Sequence, residues 1–121
     1  MKRHAKALVV VVVVGATALT VSAVAAFARP SRATATTIRV KGGEFFFKPS
    51  APSARHGKIT FVFKNVGHVA HDLKVAGKRT PIIQPGKSAR LVLELKPGRY
   101  PFECTVPGHA QAGMRGVLKV R

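Results

Sequence analysis

The sequence predicts an all-β domain over residues 38–121, a Greek-key β-sandwich of about seven or eight strands, and three observations point to that class. Apolar and polar residues alternate in short runs, the pattern of half-buried strands. Gly, Pro, Asn and Ser interrupt those runs at the density expected of a sandwich. From Ile38 onward no stretch keeps a helical period for ten residues.

The first strand is expected at Ile38 and Val40, which alternate with Arg39 and Lys41. Gly42-Gly43 then reads as a break before a second short strand, Glu44-Phe45-Phe46-Phe47, which Lys48-Pro49 stops. Ser50 to Gly57 reads as a connection. Ile59, Phe61 and Phe63, alternating with Thr60, Val62 and Lys64, make the clearest half-buried strand. After Asn65-Val66-Gly67 the next run sets His71 on the same side as Leu73 and Val75, with Asp72 and Lys74 between them. Pro85-Gly86 precedes a strand carrying Leu91, Leu93 and Leu95. Pro97-Gly98 is a tight return. Tyr100, Phe102 and Cys104 then share a face, and Leu118 and Val120 close the domain.

Residues 1–28 read separately, as a signal peptide or an N-terminal membrane anchor. Lys2, Arg3 and Lys6 precede an uncharged stretch from Ala7 to Ala28 that ends in Ala26-Phe27-Ala28, the basic start, apolar middle and small-residue exit of a secretory leader. Cleavage after Ala28 is the preferred reading. The stretch also reaches the ~20 apolar residues of a bilayer span, so a retained anchor is the rival. Either form puts the rest of the chain outside the cytoplasm, in the periplasm, at the cell surface or in the medium. Residues 29–37, rich in Ala, Thr, Ser and Arg, read as a tether.

The net charge is +17, and removing the leader takes away three of the 21 Lys and Arg and none of the four acids, leaving +14. Such a surface attracts acidic partners. The basic residues alternate along strands with no nucleic-acid recognition motif, so nucleic acid is not expected as a partner. One cysteine excludes an internal disulfide and leaves a thiol that must be buried, reactive or metal-bound. Glu44, Glu94 and Glu103 are too scattered to form a catalytic carboxylate pair, so nothing supports hydrolysis.

The chemistry lies near the C-terminus, in Cys104-Thr-Val-Pro-Gly-His109-Ala-Gln-Ala-Gly-Met114. A thiolate, an imidazole and a thioether on one loop supply three of the four ligands of a His2Cys copper site with a weak axial Met. His71 is the candidate fourth. His68 is its rival, and the strand alternation favours His71; His68 is then a surface or outer group, His56 falls in a connection, and His4 belongs to the leader. Structural zinc takes no thioether, and catalytic zinc keeps an open position beside a base, so zinc fits this set poorly.

Asn65-x-Gly67 followed by His71-Asp72, and Tyr100-x-Phe102-x-Cys104-x4-His109-x4-Met114-x-Gly116, resemble the small cupredoxins of the plastocyanin and azurin type. The resemblance covers nearly all of residues 38–121. The spacing in the ligand loop is similar to that of rusticyanin and sulfocyanin-like proteins and longer than in plastocyanin. It implies a cupredoxin-like sandwich holding one copper ion, cycling between Cu(II) and Cu(I), on His71, Cys104, His109 and Met114. Asp72 stands where many members carry Asn, and its carboxylate can accept hydrogen bonds from the loop near Thr105.

The expected function is one-electron transfer between redox partner proteins, by a monomer without enzyme activity or a small-molecule substrate. The electron would leave through the edge of His109, among Gly67, Val69, Pro107, Gly108, Ala110 and Ala112. Lys74, Lys78, Arg79 and Arg115 would rim that patch and steer an acidic partner. The alternatives are a copper-binding and delivery module, which a buried thiolate disfavours, and a sensory or structural cupredoxin domain. A single domain without a His-x-His pair does not suit a multicopper oxidase.

Overall fold

A computed structural model describes residues 9–18, 22–28 and 34–121. The chain divides into two units, Met1–Pro30 and Ser31–Arg121. The described residues of the first unit carry neither helix nor strand. Among all described residues no helix is long and apolar enough to cross a membrane. The basic start of the segment read as a leader, and residues 29–33 of the stretch read as a tether, lie outside the described residues.

Among its described residues the second unit is all β, with nine strands: β1 (Thr36–Gly43), β2 (Phe46–Lys48), β3 (Ser53–Ala54), β4 (Gly57–Asn65), β5 (Lys74–Val75), β6 (Lys78–Arg79), β7 (Ser88–Leu95), β8 (Gly98–Glu103) and β9 (Arg115–Val120). They form a four-stranded sheet, β2-β1-β4-β7, and a five-stranded sheet, β3-β9-β8-β5-β6. In the first sheet β1 runs parallel to β4, setting Ile38 beside Phe61 and Val40 beside Phe63. β7 runs antiparallel on the far side of β4, with Leu91 opposite Phe61 and Leu93 opposite Ile59.

Alternation decides which side of the long strands β4 and β7 is dry. Ile59, Phe61 and Phe63 are buried, as are Leu91, Leu93 and Leu95 across from them and Phe102, Leu118 and Val120 from the other sheet. Phe47 packs edge-on against Phe63 and Phe102, with ring centroids 5.7 and 5.4 Å apart. Phe61 lies 6.0 Å from Phe102. This aromatic cluster couples the sheets and supplies much of the apolar area that holds the sandwich closed.

The strand count exceeds the expected seven or eight because β3, β5 and β6 are two-residue strands, too short to show a period. β3 lies inside the stretch read as a connection, where Ser53 and Ala54 pair in parallel with Lys119 and Val120. β1 begins at Thr36, two residues before the expected start. The first hairpin also turns later than expected, at Glu44-Phe45. Gly42 and Gly43 are buried strand residues. A Cβ on Gly42 would lie 2.7 Å from the Phe63 ring and 2.9 Å from the Met114 methyl, so that glycine serves close packing rather than a turn.

Candidate metal centre

Beyond β8 the chain enters a loop built from consecutive tight turns. The first is Val106-Pro107-Gly108-His109, closed by donation from the His109 amide to the Val106 carbonyl at 3.1 Å. Proline presets its second position, and Gly108, at φ +83°, supplies the left-handed third. The amides of Ala112 and Gly113 donate to the carbonyls of Gly108 and Ala110. Gly113 also has positive φ, +117°, and a side chain there would press on the Phe45 carbonyl oxygen, 3.2 Å from the position of its Cβ. The loop is closed by Cys104 N–H donating to Met114 O and Met114 N–H donating to His109 O, both at 3.1 Å. Three potential ligands are thus tied to one another through the backbone.

His71 arrives from the other side of the primary sequence. Its backbone makes an isolated antiparallel bridge with Ile83, at 3.1 and 2.7 Å. Asn65, fully buried, secures the approach to it: its side-chain amide donates to the carbonyls of Val69 and Ile83, and its Oδ1 accepts from the Gly67 amide, each at 2.8 Å. Asp72, also fully buried, fastens the two halves of the site together. It accepts from the Thr105 amide at 2.6 Å and from the Thr105 hydroxyl. That carboxylate performs the tie expected of it from the sequence.

The structure brings His71, Cys104 and His109 into one cluster whose donor atoms all lie within 4.8 Å of one another. His71 Nδ1 and His109 Nδ1 are 3.0 Å apart, and Cys104 Sγ lies 3.9 Å from the first and 3.5 Å from the second. A point equidistant from the corners of that triangle is about 2.0 Å from each, close to the ~2.0–2.3 Å that imidazole and thiolate make with a divalent ion. The donor set therefore fits a metal of the copper class in size and in softness. Met114 is fully buried between this loop and β1, its methyl facing Gly42. Burial pushes the Cys104 thiol upward, so the thiolate depends on a positive charge beside it, which a metal supplies.

His68 is not part of the cluster. Its side chain is 96% exposed and its Nδ1 lies 3.6 Å from Glu44. His56 is exposed and sits against the C-terminal carbonyl, 3.3 Å from Arg121 O. His109 is half-buried, with the exposed Phe45 ring packed beside it at 4.9 Å. Lys74, Arg79 and Arg115 line a depression together with Glu103, Pro107, Gly108 and Ala110. Lys78 is exposed in β6.

Glu44 went unrecognised as a site residue in the sequence. Its Oε1 lies 2.9 Å from His71 Nε2, and its carboxylate accepts from the amides of His68 and Val69 at 2.9 and 3.0 Å. Donation from the Val69 amide, then from His71 and then from the His68 amide, holds this carboxyl down to about 2. Its signal was hidden because the partners lie 24 to 27 positions away, in the connection between β4 and β5.

The profile of the cupredoxin-like domain family matches residues 8–120. A 41-residue segment is 49% identical to the copper-resistant cuproprotein CopI of Pseudomonas aeruginosa, covering 33% of this chain and only 23% of that relative's length. Among solved structures, the dithionite-reduced auracyanin of Roseiflexus castenholzii superposes with a TM-score of 0.65 at 26% identity, over 71% of this chain and 97% of that one. Auracyanin A of Chloroflexus aurantiacus, described as a "blue" copper protein, gives 0.63 at 21% identity over 72% and 99%. A multicopper oxidase also shares the fold, with a TM-score of 0.64 at 19% identity over 77% of this chain and 44% of its own. Sandwich, cluster and family profile agree: the chain belongs to the cupredoxin-like family and has one copper site.

Proposed function

We propose that this chain is an exported type 1 copper protein that carries single electrons between partner proteins, with His71, Cys104, His109 and Met114 as the ligands. The observation that carries this reading is the triangle of two Nδ1 atoms and one Sγ around a point about 2.0 Å from each. The bound ion supplies a Cu(II)/Cu(I) couple. The protein's own contribution is to hold the donors in one arrangement and keep water out. Cys104 and His71 are only 1% and 0% exposed, and Asp72 clamps their supporting segments together. A site that cannot relax between oxidation states has little to reorganise when an electron moves.

His109 is the half-buried ligand and the route outward, with Phe45, Val66 and Val69 supplying exposed apolar surface on nearby segments. The depression edged by Lys74, Arg79 and Arg115 supports an acidic partner. The leader-like residues 1–28 support export or anchoring. No substrate-transforming step is assigned.

A second reading, copper handling, is favoured by the segment shared with the copper-resistant cuproprotein CopI. A visible and paramagnetic resonance spectrum of the Cu(II)-loaded protein tests the first reading. An intense thiolate-to-copper absorption, abolished in Cys104→Ser, is the expected result, whereas a colourless protein holding copper weakly overturns it. Repeated reduction and reoxidation by a one-electron mediator with the metal retained then separates a carrier from a handler, which would release Cu(I) to a competing chelator.

A further inference from the structure

The β1–β2 turn carries an acid that the four proposed ligands do not account for. Glu44 Oε1 already accepts from the amides of His68 and Val69 when it meets His71 Nε2 at 2.9 Å, and Oε2 receives the His68 amide again at 3.1 Å. An oxygen so occupied is an acceptor toward the imidazole, so Nε2 is the protonated nitrogen of His71. The lone pair is then left on Nδ1, the atom that faces Cys104 and His109. Space for the carboxylate is made by Gly67, where a Cβ would overlap both of its oxygens. The side chain is only about a quarter exposed, so water competes little with the imidazole.

We propose that Glu44 is a positioning residue for the copper site: it fixes the tautomer and orientation of His71 from behind and raises its electron donation to the metal. The inference rests on the functional reading above. A histidine ligand backed by a carboxylate is a better donor than one backed by water, and loss of such a partner weakens metal affinity by about 10–100-fold. The fixed negative charge also stabilises Cu(II) over Cu(I). A merely structural role, tying the β1–β2 turn to His68 and Val69, would need the acceptor oxygens but not their effect on the ring.

The test compares the protein with its Glu44→Ala and Glu44→Gln variants. In the metal-free wild type, 15N imidazole spectra of His71 are expected to show the Nε2–H tautomer, and in Glu44→Ala a mixture with Nδ1–H. Cu(II) affinity falls about tenfold or more in Glu44→Ala. Glu44→Gln retains a neutral acceptor, so it keeps the tautomer but, lacking the negative charge, shifts the equilibrium with a one-electron mediator toward Cu(I). Gly67→Ala, which displaces the carboxylate without removing it, should reproduce the alanine phenotype. An Nδ1–H His71 in the wild type overturns the proposal, as do variants whose tautomer, affinity and mediator equilibrium all match the wild type. A wild type with the Nε2–H tautomer that binds no copper overturns the functional reading instead, because the tautomer is read without metal.

Discussion

The two halves of the metal centre are built on opposite principles. The Cys104–Met114 loop is local: its turns close within a few residues, its backbone links Cys104, His109 and Met114 directly, and its glycines supply φ angles that other residues resist. The half around His71 is assembled from distant pieces, namely the β1–β2 turn with Glu44, the buried Asn65, the Ile83 bridge and Asp72. Local geometry places the three proposed ligands of the loop, and tertiary packing decides where His71 meets Cys104 and His109. Changes in the second half should therefore act by misplacing an intact ligand, and changes in the first by altering the ligands or their loop.

The largest expected effect comes from the residue on which the halves converge. His71→Ala removes one corner of the donor triangle, so the thiolate-to-copper colour should disappear and Cu(II) affinity should fall by more than the 10–100-fold typical of losing an outer partner. His68→Ala, three positions away, should leave the colour intact because that ring points into solvent. Loss of colour in His68→Ala with retention in His71→Ala would reverse the assignment of roles.

Asp72 is the clamp between the halves, and its two bonds to Thr105 can be broken or conserved by choice of substitute. Asp72→Ala removes a fully buried acceptor from the partly buried Thr105 amide and hydroxyl and should destabilise the metal-free protein by about 1–3 kcal/mol. Asp72→Asn keeps an acceptor for the Thr105 amide and offers a donor to the hydroxyl once it rotates, so the loss should stay within about 1 kcal/mol. Urea titration of both variants checks the pair; equal losses would mean that charge rather than hydrogen bonding holds the clamp.

This contrast explains how much of the site was legible in the sequence. Cys104 and His109 were readable as neighbours because chain spacing and spatial proximity coincide in a loop, the same loop that carries the proposed ligand Met114. His71 and the tie from Asp72 to Thr105 were readable through the resemblance of the His-Asp pair to a family pattern. The expected strand alternation does not hold there, since His71 forms only an isolated bridge and His71, Asp72 and Leu73 are all buried. Glu44 was not, because a turn carboxylate shows no periodicity and its imidazole partner lies 27 positions on. The long strands β4 and β7 declared themselves by alternation, whereas β3, with two residues, has no pattern to detect. Gly42-Gly43 was misread as a break for a related reason: glycine marks both turns and close packing, and only the neighbouring Phe63 and Met114 separate the two.

Two glycine substitutions sharpen the comparison. Gly42→Ala puts a methyl against the Phe63 ring and the Met114 methyl, overpacking a buried seam at a cost of about 1–3 kcal/mol. Because Met114 is the flexible one of these two neighbours and a proposed ligand, the colour of the copper-loaded variant should shift as well. Gly108→Ala meets no atom within 4 Å, so its cost is conformational only, about 1 kcal/mol for holding alanine at φ +83°. The strain there falls on the turn that delivers His109, and the loop can relax toward solvent to relieve it. Denaturant midpoints of the metal-free variants should thus rank Gly42→Ala below Gly108→Ala. The reverse order would mean that the turn, rather than the seam between β1 and Met114, carries the tighter constraint on the site.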